Sequence, residues 1–405
     1  MNGKYPHMLR PNTFALTALL AALTAFGPLT TDMYLPSLPE IARVFGASTA
    51  QVQLTISSYL IGFAIGQIVY GPFSDRHGRK PVILAAAALY CLATLGCALS
   101  TSVEMLIVAR FVQAIGGSGG IVLARAIVRD LYSGARAGRE LSVMASVMAL
   151  APVIAPVIGG SLQTAFGWRA SFFLLAACGV IGIALIYLLL PETLAKRATE
   201  PVSPASMLNS YRIVARNRCY LAYLSLVALS YAGLFAWISG ASFVLQDLYG
   251  LSPFRFGVAF ALGSVGYMTG SAIAARFVGK LGLDLTAGLG AVTLAAGGFG
   301  MIAAVGFGLT SAASIVLPVA VYLAGLGMVL SQGIAGAMSP FPERAGAASS
   351  LLGFVQQTAA AVCGAVVGVL LGQNAWPLAG AIAAMGSATL LLWIVTRNVR
   401  AAAHP

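Results

Sequence analysis

The first long apolar run of the chain ends in Thr31-Asp-Met-Tyr-Leu-Pro-Ser-Leu-Pro39. Asp32 is the one acidic residue of this stretch, and a charge near the centre of a bilayer costs about 3 kcal/mol on insertion scales. The composition of the whole chain indicates that a bilayer surrounds this run, since 59% of its 405 residues are hydrophobic and only 8% are charged. Soluble domains carry about 25% charged residues. The sequence therefore predicts a polytopic membrane protein.

Runs of about 20 apolar residues predict transmembrane helices. The chain contains twelve, which lie at 13–35, 50–72, 81–99, 105–128, 140–163, 169–190, 218–245, 254–276, 285–309, 313–338, 346–371 and 376–396. Small residues let membrane helices approach closely. Glycines spaced four apart within these runs are therefore predicted to pack helices together, namely Gly62, Gly66, Gly116, Gly120, Gly266, Gly270, Gly364 and Gly368.

The basic residues between the spans predict the orientation of the chain. Eighteen Lys and Arg residues fall on one side, and only Arg43, Arg169 and Arg255 fall on the other. Because cytoplasmic loops carry the excess of positive charge, both termini and the loop 191–217 are predicted to be cytoplasmic. This placement explains the net charge of +12 without a nucleic-acid partner.

The long polar connection at 191–217 divides the spans six and six. We therefore predict an N-terminal six-helix bundle at 1–190, a cytoplasmic linker at 191–217 and a C-terminal six-helix bundle at 218–405. Arg76 and Lys80 after the second span recur as Arg276 and Lys280 after the eighth. Two repeated halves indicate a secondary transporter with its site near the bilayer midplane between them.

Ten of the eleven acidic residues fall in or beside the predicted loops, which leaves Asp32 alone within a span. Because burial in a low-dielectric environment favours the neutral form of a carboxyl group, we expect Asp32 to exchange protons. Arg110 in the fourth span lies within about one helical turn of the same depth. We expect Arg110 to approach Asp32 and to tune its affinity for protons; the alternative is a static ion pair that only joins the two helices.

The loop Gly71-Pro-Phe-Ser-Asp-Arg-His-Gly-Arg-Lys80 is the most specific short motif. Its glycines suit the tight turn between two packed helices. Its charged residues suit bonds to neighbouring helix ends that would latch one face of a two-bundle carrier. The alternative is a basic loop that only sets orientation. The latch hypothesis rests on Gly71, Asp75, Arg76, Gly78, Arg79 and Lys80.

The fifth span contains two prolines four residues apart, followed by paired glycines. Pro152 and Pro156 each remove a backbone donor, while Gly159 and Gly160 permit close contact, so we predict a shaped pivot or a tight seal there. The alternative is ordinary tolerance of proline in a membrane helix. Arg125, at the inner end of the fourth span, is predicted to extend to the cytoplasmic surface without a role in transport.

Drug-binding sites are mostly apolar and aromatic, with few polar groups. Candidate substrate contacts within the spans, for each of which helix packing is an equal alternative, are Tyr34, Tyr59, Gln113, Met144, Tyr231, Phe235, Trp237, Gln356 and Gln357. The five cysteines lack ligand-like spacing and the three histidines lie outside the spans. We therefore expect no metal, no cofactor and no enzymatic activity, and we also expect no channel, because rings of pore-lining polar residues are not evident.

Several of these motifs resemble those of the major facilitator superfamily. The loop 71–80 is similar to the signature loop of that superfamily, Arg110 to its fourth-helix arginine motif, and 151–160 to its drug-antiporter motif. The stretch 31–39 narrows the resemblance to the Bcr/CflA drug-resistance family. The resemblance implies the major facilitator fold and proton-driven export of drugs such as bicyclomycin, chloramphenicol-type compounds or sulfonamides, with Asp32 as the proton carrier.

The functional expectation is therefore a proton-coupled multidrug antiporter in the bacterial inner membrane that acts as a monomer by alternating access. Its expected partners are a small drug, protons and the lipid bilayer. One alternative is an exporter of a metabolite such as an amino acid or a small peptide, and another is a proton symporter of the same fold.

Overall fold

The computed structural model describes residues 13–194 and 204–401, apart from residue 373. The prediction of an all-α membrane fold is confirmed. The helices are α1 (Phe14–Asp32), α2 (Leu38–Phe45), α3 (Thr49–His77), α4 (Arg79–Ala98), α5 (Val103–Leu131), α6 (Gly134–Phe166), α7 (Arg169–Leu189), α8 (Pro204–Ala215), α9 (Arg218–Phe243), α10 (Pro253–Gly306), α11 (Ala312–Met338), α12 (Ala345–Leu370), α13 (Trp376–Val395) and α14 (Arg397–Ala401). No strand occurs among these described residues.

Eleven helical segments of the described chain are long and apolar enough to cross a membrane. One of them, α10, has 54 residues and is interrupted at Gly282, where φ is 76° and ψ is 170°. Only glycine adopts such a conformation without strain, so α10 supplies two crossings and the total is the predicted twelve. The helix continues past residue 276, where the predicted eighth span ends, as far as this glycine.

The first membrane segment is also longer than predicted. The chain leaves α1 after Asp32, passes through a 3₁₀ turn at Leu35–Ser37 and continues in α2 to Phe45. Pro36 and Pro39 lack the N–H groups that an unbroken helix would need, but each stands in the first turn of its helical piece, where proline is tolerated. Asp32 therefore lies near the middle of an apolar segment that spans Phe14–Phe45.

Polar side chains start most of the long helices. Ser48 and Gln51 form a capping box at α3. Ser102, Asn217 and Ser252 accept backbone hydrogen bonds at the first turns of α5, α9 and α10. Such caps satisfy backbone donors that have no partner within the helix, and they fix where each membrane segment begins.

The glycine pairs pack helices as predicted. A side chain on any of these eight glycines would collide with a neighbouring helix. The obstructing residue is Phe111 for Gly62, Ser118 for Gly66, Tyr90 for Gly116, Leu23 for Gly120, Ala320 for Gly266, Ala324 for Gly270, Ser239 for Gly364 and Gln53 for Gly368. Backbones therefore approach one another where larger residues would hold the helices apart.

Within the predicted linker 191–217, the part from Pro204 to Ala215 is helical and packs on α9 and α12; residues 195–203 lie outside the described chain. Among the described residues, the most extensive contacts between the first half of the chain and the second are those of α3 with α12 and of α6 with α10. We call the end at which α3 turns into α4, with Arg76 and Lys80, the basic end. The opposite end, where α9 leads into α10, is called the neutral end.

Contacts between the halves close the neutral end. At this end α6 and α10 meet backbone to backbone, because Gly160 lies against Pro253 and Gly257 lies against Pro156. At the basic end, a Cβ atom added to Gly71 of α3 or to Gly346 of α12 would meet no other atom within 4 Å. We therefore infer that the cleft between the halves opens toward the basic end, beyond the contact of Gly353 with Gln67.

Cysteine cross-linking tests this closure. In a background without the five native cysteines, we expect the pair Ala50→Cys and Gly368→Cys to form a disulfide readily in the substrate-free protein. The Cα atom of Ala50 lies 3.8 Å from the position of a Cβ atom on Gly368, which is within the reach of a disulfide. The yield is measured by mobility on a gel after mild oxidation.

The matched control places cysteines at Gly71 and Gly346, on the same two helices but at the basic end. We expect this second pair to remain reduced under the same oxidation. Equal yields from both pairs would contradict a cleft that is closed at one end only.

Candidate functional site

Asp32 lies at the break in the first membrane segment. It is the last residue of α1, and only 4% of its surface is exposed. The break leaves backbone carbonyl groups without the donors that a continuous helix would supply. The carbonyl of Leu35, for example, has Pro39, which has no N–H group, four residues later, and it accepts from the Leu38 N–H of the 3₁₀ turn instead. The carbonyls of the break also accept hydrogen bonds from side chains of other helices.

Three other helices supply these side chains. Arg110 of α5 donates from Nη1 to the Thr30 carbonyl at 3.2 Å. Ser242 Oγ of α9 donates to the Leu35 carbonyl at 2.6 Å, and Ser171 Oγ of α7 donates to the Met33 carbonyl at 3.4 Å.

A further donor follows the end of α9, in the π-helical turn Val244–Leu248. Gln246 Nε2 of this turn donates to the Pro36 carbonyl at 3.0 Å and to Ser242 Oγ at 2.7 Å. Ser242 and Gln246 belong to the second half of the chain. The break that positions Asp32 therefore also joins the two halves at the neutral end.

Arg110 is fully buried beneath this break. In addition to the Thr30 carbonyl, its Nη1 donates to Gln113 Oε1 at 2.7 Å. Its guanidinium carbon lies 4.3 Å from the ring centre of Tyr59 and 4.7 Å from that of Tyr34, which are cation–π distances. Nε and Nη2 of Arg110 have no hydrogen-bond partner within the described chain, so two donors of a buried cation remain available.

Asp32 and Arg110 do not form an ion pair. None of the salt bridges found among the described residues, with a limit of 4.0 Å between N and O, joins these two residues. Both lie near enough to Tyr59 to interact electrostatically with its hydroxyl group. The geometry therefore places Tyr59 beside both charges, and it does not show the static ion pair that was the alternative.

The second half of the chain supplies the opposite wall of the site. Tyr231 of α9 interacts electrostatically with Asp32 and with Tyr59, and it lies next to Gln356 of α12. Tyr267 of α10 also interacts with Tyr231. Tyr231, Tyr267 and Gln356 are half-buried. The sequence did not indicate Tyr267, because it is one aromatic residue among many in apolar runs.

The other substrate candidates separate into supporting and core residues. Gln113 Nε2 donates to Thr94 Oγ1 at 2.8 Å and holds Arg110, while the hydroxyl of Tyr34 bonds Thr55. Trp237 is fully buried and stacks on Phe260, and Met144 is buried in the core of the first half.

Two candidates remain at the wall of the cavity or near it. The ring of Phe235 lies 5.1 Å from that of Tyr231. Gln357 is almost fully buried, and its Oε1 has no hydrogen-bond partner among the residues that the structure describes. Phe235 therefore supports Tyr231, and Gln357, which follows Gln356 on α12, offers an unused acceptor.

The paired glycines of α6 contact two different partners. Gly159 lies against the carbonyl of Met33, in the break after Asp32, and Gly160 lies against Pro253 of α10. The carbonyl of Pro156 lies against Gly257 of the same helix. Pro152 and Pro156 are both inside α6. This segment therefore connects the Asp32 break to the second half of the chain.

The loop 71–80 forms a charged cluster at the basic end. Arg79 pairs with Asp75 at 2.6 Å and with Asp130, at the end of α5, at 2.8 Å. The carboxylate of Glu192 accepts hydrogen bonds from the backbone N–H groups of Arg79 and Lys80 at 2.9 and 3.2 Å.

Glycine has a distinct role at each end of that loop. Gly78 has φ of 100° and lies against Glu192, so a larger residue would be strained and obstructed. Gly71 meets nothing within 4 Å, and Arg76 is exposed. The ion pairs of this loop remain within the first half of the chain.

Glu140 is an acid that the sequence placed at a loop and the structure places inside α6. Only 4% of its surface is exposed. Its carboxylate accepts a hydrogen bond from Thr17 Oγ1 of α1 at 2.6 Å and pairs with Arg136 at 2.9 Å. Glu140 is therefore a second buried acid, near the basic end. Only the length of α6, which the apolar pattern underestimated, could have indicated it.

Comparison with known proteins gives the family. The model of the Major Facilitator Superfamily matches residues 20–364. The chain belongs to the major facilitator superfamily. It is 36% identical over 362 residues to YdgK of Bacillus subtilis, an uncharacterized transporter of this type, and the match covers 89% of each chain.

Two further relatives have names that refer to drug resistance. A bicyclomycin resistance protein homolog of Haemophilus influenzae is 30% identical, with 96% of this chain and 98% of the relative covered. Multidrug resistance protein D of Escherichia coli is 29% identical, with 96% and 97% covered. The resemblance to the Bcr/CflA drug-resistance family is confirmed.

The fold agrees with solved transporter structures. A partially occluded, inward-open structure of the xylose transporter XylE from E. coli superimposes with a TM-score of 0.74 at 17% identity, and 95% of this chain and 97% of XylE are covered. At that identity the likeness concerns the fold alone. The protein is a multi-pass membrane transporter for small molecules and not an enzyme.

The bond from Ser242 to the Leu35 carbonyl yields a prediction about the closed neutral end. We expect Ser242→Ala to remove about 1 kcal/mol from this closure, which changes the ratio of the two conformers about fivefold. The change is measured as a lower cross-linking yield of the cysteine pair at residues 50 and 368.

Ser161→Ala is the matched control, since the Ser161 hydroxyl is exposed and bonds only within its own helix, to the Val157 carbonyl. We expect it to keep the full yield. An undiminished yield in Ser242→Ala would show that this bond does not hold the neutral end closed.

The Arg79 cluster yields a prediction about stability. Arg79→Ala leaves the partly buried Asp130 carboxylate without its cation, so we expect the free energy of unfolding to fall by about 2 kcal/mol. The measurement is thermal unfolding of the purified protein in detergent. Arg76→Ala removes an exposed charge from the same loop and should change stability little. Equal losses in the two variants would refute the structural role of Arg79.

Proposed function

We propose that this protein is a proton-coupled multidrug antiporter of the bacterial inner membrane, with Asp32 as its proton carrier. The observation that carries the proposal is the isolation of Asp32, a buried carboxyl group at a helix break that faces Tyr231 across the space between the halves. The excess of Lys and Arg at the basic end supports a cytoplasmic position for that end. Because the cleft opens toward the basic end, a cytoplasmic position of that end means that the conformer described above faces inward.

Proton binding at Asp32 couples to conformation through the cost of burying charge. A carboxylate taken out of water without a cationic partner is unfavourable, and protonation removes that cost. We expect the proton to bind when the cavity opens outward and to leave when it opens inward. Drug binding then favours the return of the deprotonated carrier, because the two ligands stabilise different conformers of one equilibrium.

Arg110 supports this exchange from beneath the break. Two of its nitrogen atoms lack a partner, and its charge is held close to Asp32 through Tyr59. We expect a small movement of α1 to bring the carboxylate onto these free donors. Such a contact would stabilise the charged carboxylate in one conformer and not in the other, which is the difference that coupling requires.

The drug is expected to bind between Asp32 and the aromatic residues of the second half. Tyr231, Tyr267 and Gln356 offer hydroxyl and amide groups on an otherwise apolar wall, which is the usual composition of a drug site. The relatives named for bicyclomycin and multidrug resistance support drugs as the substrate class. Each half contributes one wall, so one chain forms a complete site, and we propose that the monomer is the functional unit.

The loop 71–80 is proposed to act as a latch when the basic end closes. In the inward-facing conformer its ion pairs serve only the first half of the chain. A Cβ atom on Gly71 would meet no other atom within 4 Å, and α3 packs on α12, so we expect the second half to have room to approach when the cleft closes at that end.

Asp32→Asn tests the proton carrier. In inverted vesicles that contain the wild-type protein, addition of a transported drug should release protons from the acidic lumen. We expect the variant to abolish this release, because the asparagine side chain does not exchange a proton in this pH range. The measurement is the fluorescence of a pH-sensitive dye, together with a check that the variant purifies as a single folded species.

A panel of drugs in an efflux-deficient strain identifies the substrate class. Resistance that is conferred by the wild type and lost in Asp32→Asn supports the proposal. Resistance to no compound, with transport of an amino acid or a peptide, would favour the metabolite exporter. Accumulation in inverted vesicles that requires an alkaline lumen would favour symport. Wild-type coupling in Asp32→Asn would remove Asp32 from the mechanism.

A further inference from the structure

The basic pair Arg125 and Arg129 of α5 has no role in the mechanism above. Between residues 109 and 124 of this helix no side chain is exposed, because α1, α3 and α4 enclose it. Arg125 is the first exposed residue beyond that stretch toward the basic end, and Arg129 follows one turn later. The sequence alone suggested only that Arg125 extends to the membrane surface.

The packing of Ile121 shows which way this face of α5 points. Ile121, one turn before Arg125, is buried and packs with Tyr59 and Phe63 of α3 and with Met148 of α6. Both α3 and α6 also contact the second half of the chain, so this face points to the cleft between the halves. Arg125 continues the same face, about 22 Å along α5 from Arg110.

The surroundings of Arg125 fit a position inside the open cleft. Its side chain is exposed, yet the surrounding protein desolvates its charge. Both statements hold for a side chain that projects into a cavity with an open mouth, whereas a residue on the outer surface would not be desolvated by protein. Arg129 is near enough to repel Arg125 electrostatically.

The neighbouring acids of the first half are already engaged. Asp130 binds Arg79 and Thr193, and Glu140 binds Arg136 and Thr17. Within the described ranges neither Arg125 nor Arg129 forms a salt bridge. Two cations one helical turn apart, without a counter-charge, therefore stand at the open mouth of the cavity.

We propose that Arg125, assisted by Arg129, selects substrates at this mouth and favours amphipathic molecules that carry one carboxylate. This inference rests on the proposed function as an exporter that loads its substrate from the basic end. An uncompensated pair of cations attracts anions and repels cations along the entry route. A planar guanidinium also binds a carboxylate through two parallel hydrogen bonds, which gives Arg125 selectivity beyond its charge.

The proposal is tested by binding, with three probes that differ at one group. An aryl carboxylate dye, its methyl ester and the corresponding amine are titrated onto the purified full-length protein in detergent, and the change in fluorescence is followed. We expect the wild type to bind the carboxylate more tightly than the ester, and the ester more tightly than the amine. Arg125→Gln should weaken carboxylate binding about fivefold and leave the ester unchanged.

Two further variants separate recognition from structure. Arg125→Lys keeps the charge and should recover part of the affinity for the carboxylate. Arg139→Gln removes an exposed arginine of α6 and should change none of the three affinities. Equal weakening of carboxylate and ester in Arg125→Gln, or a wild type that does not prefer the carboxylate, would overturn the proposal.

Binding at equilibrium needs no proton gradient, so the outcome does not depend on whether transport is antiport. If Asp32→Asn loses proton coupling but Arg125→Gln leaves the affinity for the carboxylate unchanged, only the proposal of substrate selection by Arg125 is refuted. Carboxylate selectivity that depends on Arg125, in a protein without proton coupling, would refute only the antiporter.

Discussion

The break in the helical backbone after Asp32 is the constraint on which the site depends. Two prolines interrupt the ladder of hydrogen bonds, and the freed carbonyls are bonded by Arg110, Ser171, Ser242 and Gln246. These donors hold three segments against the break, namely α5, α7 and the end of α9 with its π-helical turn. Because two of these donors come from the second half of the chain, the geometry around Asp32 and the contact between the halves change together.

Close backbone contact is the second element of this arrangement. Gly159 and Gly160 are adjacent residues of α6, yet one lies against Met33 and the other against Pro253. Movement of α10 against α6 is therefore passed to the Asp32 break through contacts that have little room to adjust. Rigid contacts of this kind favour discrete conformers over gradual deformation, which is what the proposed transport mechanism requires.

Charged side chains are paired differently toward the closed end of the cleft and at its open end. Near the closed end, one carboxyl group and one guanidinium lie buried without a mutual ion pair, and each retains unused capacity to bind. At the open end, Arg79 satisfies Asp130, and Arg136 satisfies Glu140, so Arg125 and Arg129 remain uncompensated. The substrate would meet the cations first and the proton site last.

The sequence by itself determined the class of protein, the twelve spans and the packing glycines, because apolar length and small-residue spacing are local properties of the chain. It also predicted a role for Asp32, the one acid that falls within a predicted span. Only the tertiary structure decided which residues meet. It showed that Arg110 reaches Thr30 and not Asp32, that Glu140 is buried, that Tyr267 lies near Tyr231 and that Arg125 is the first exposed residue after a long enclosed stretch of α5. These facts depend on how helices distant in sequence are rotated against one another, and a hydropathy pattern does not record that rotation.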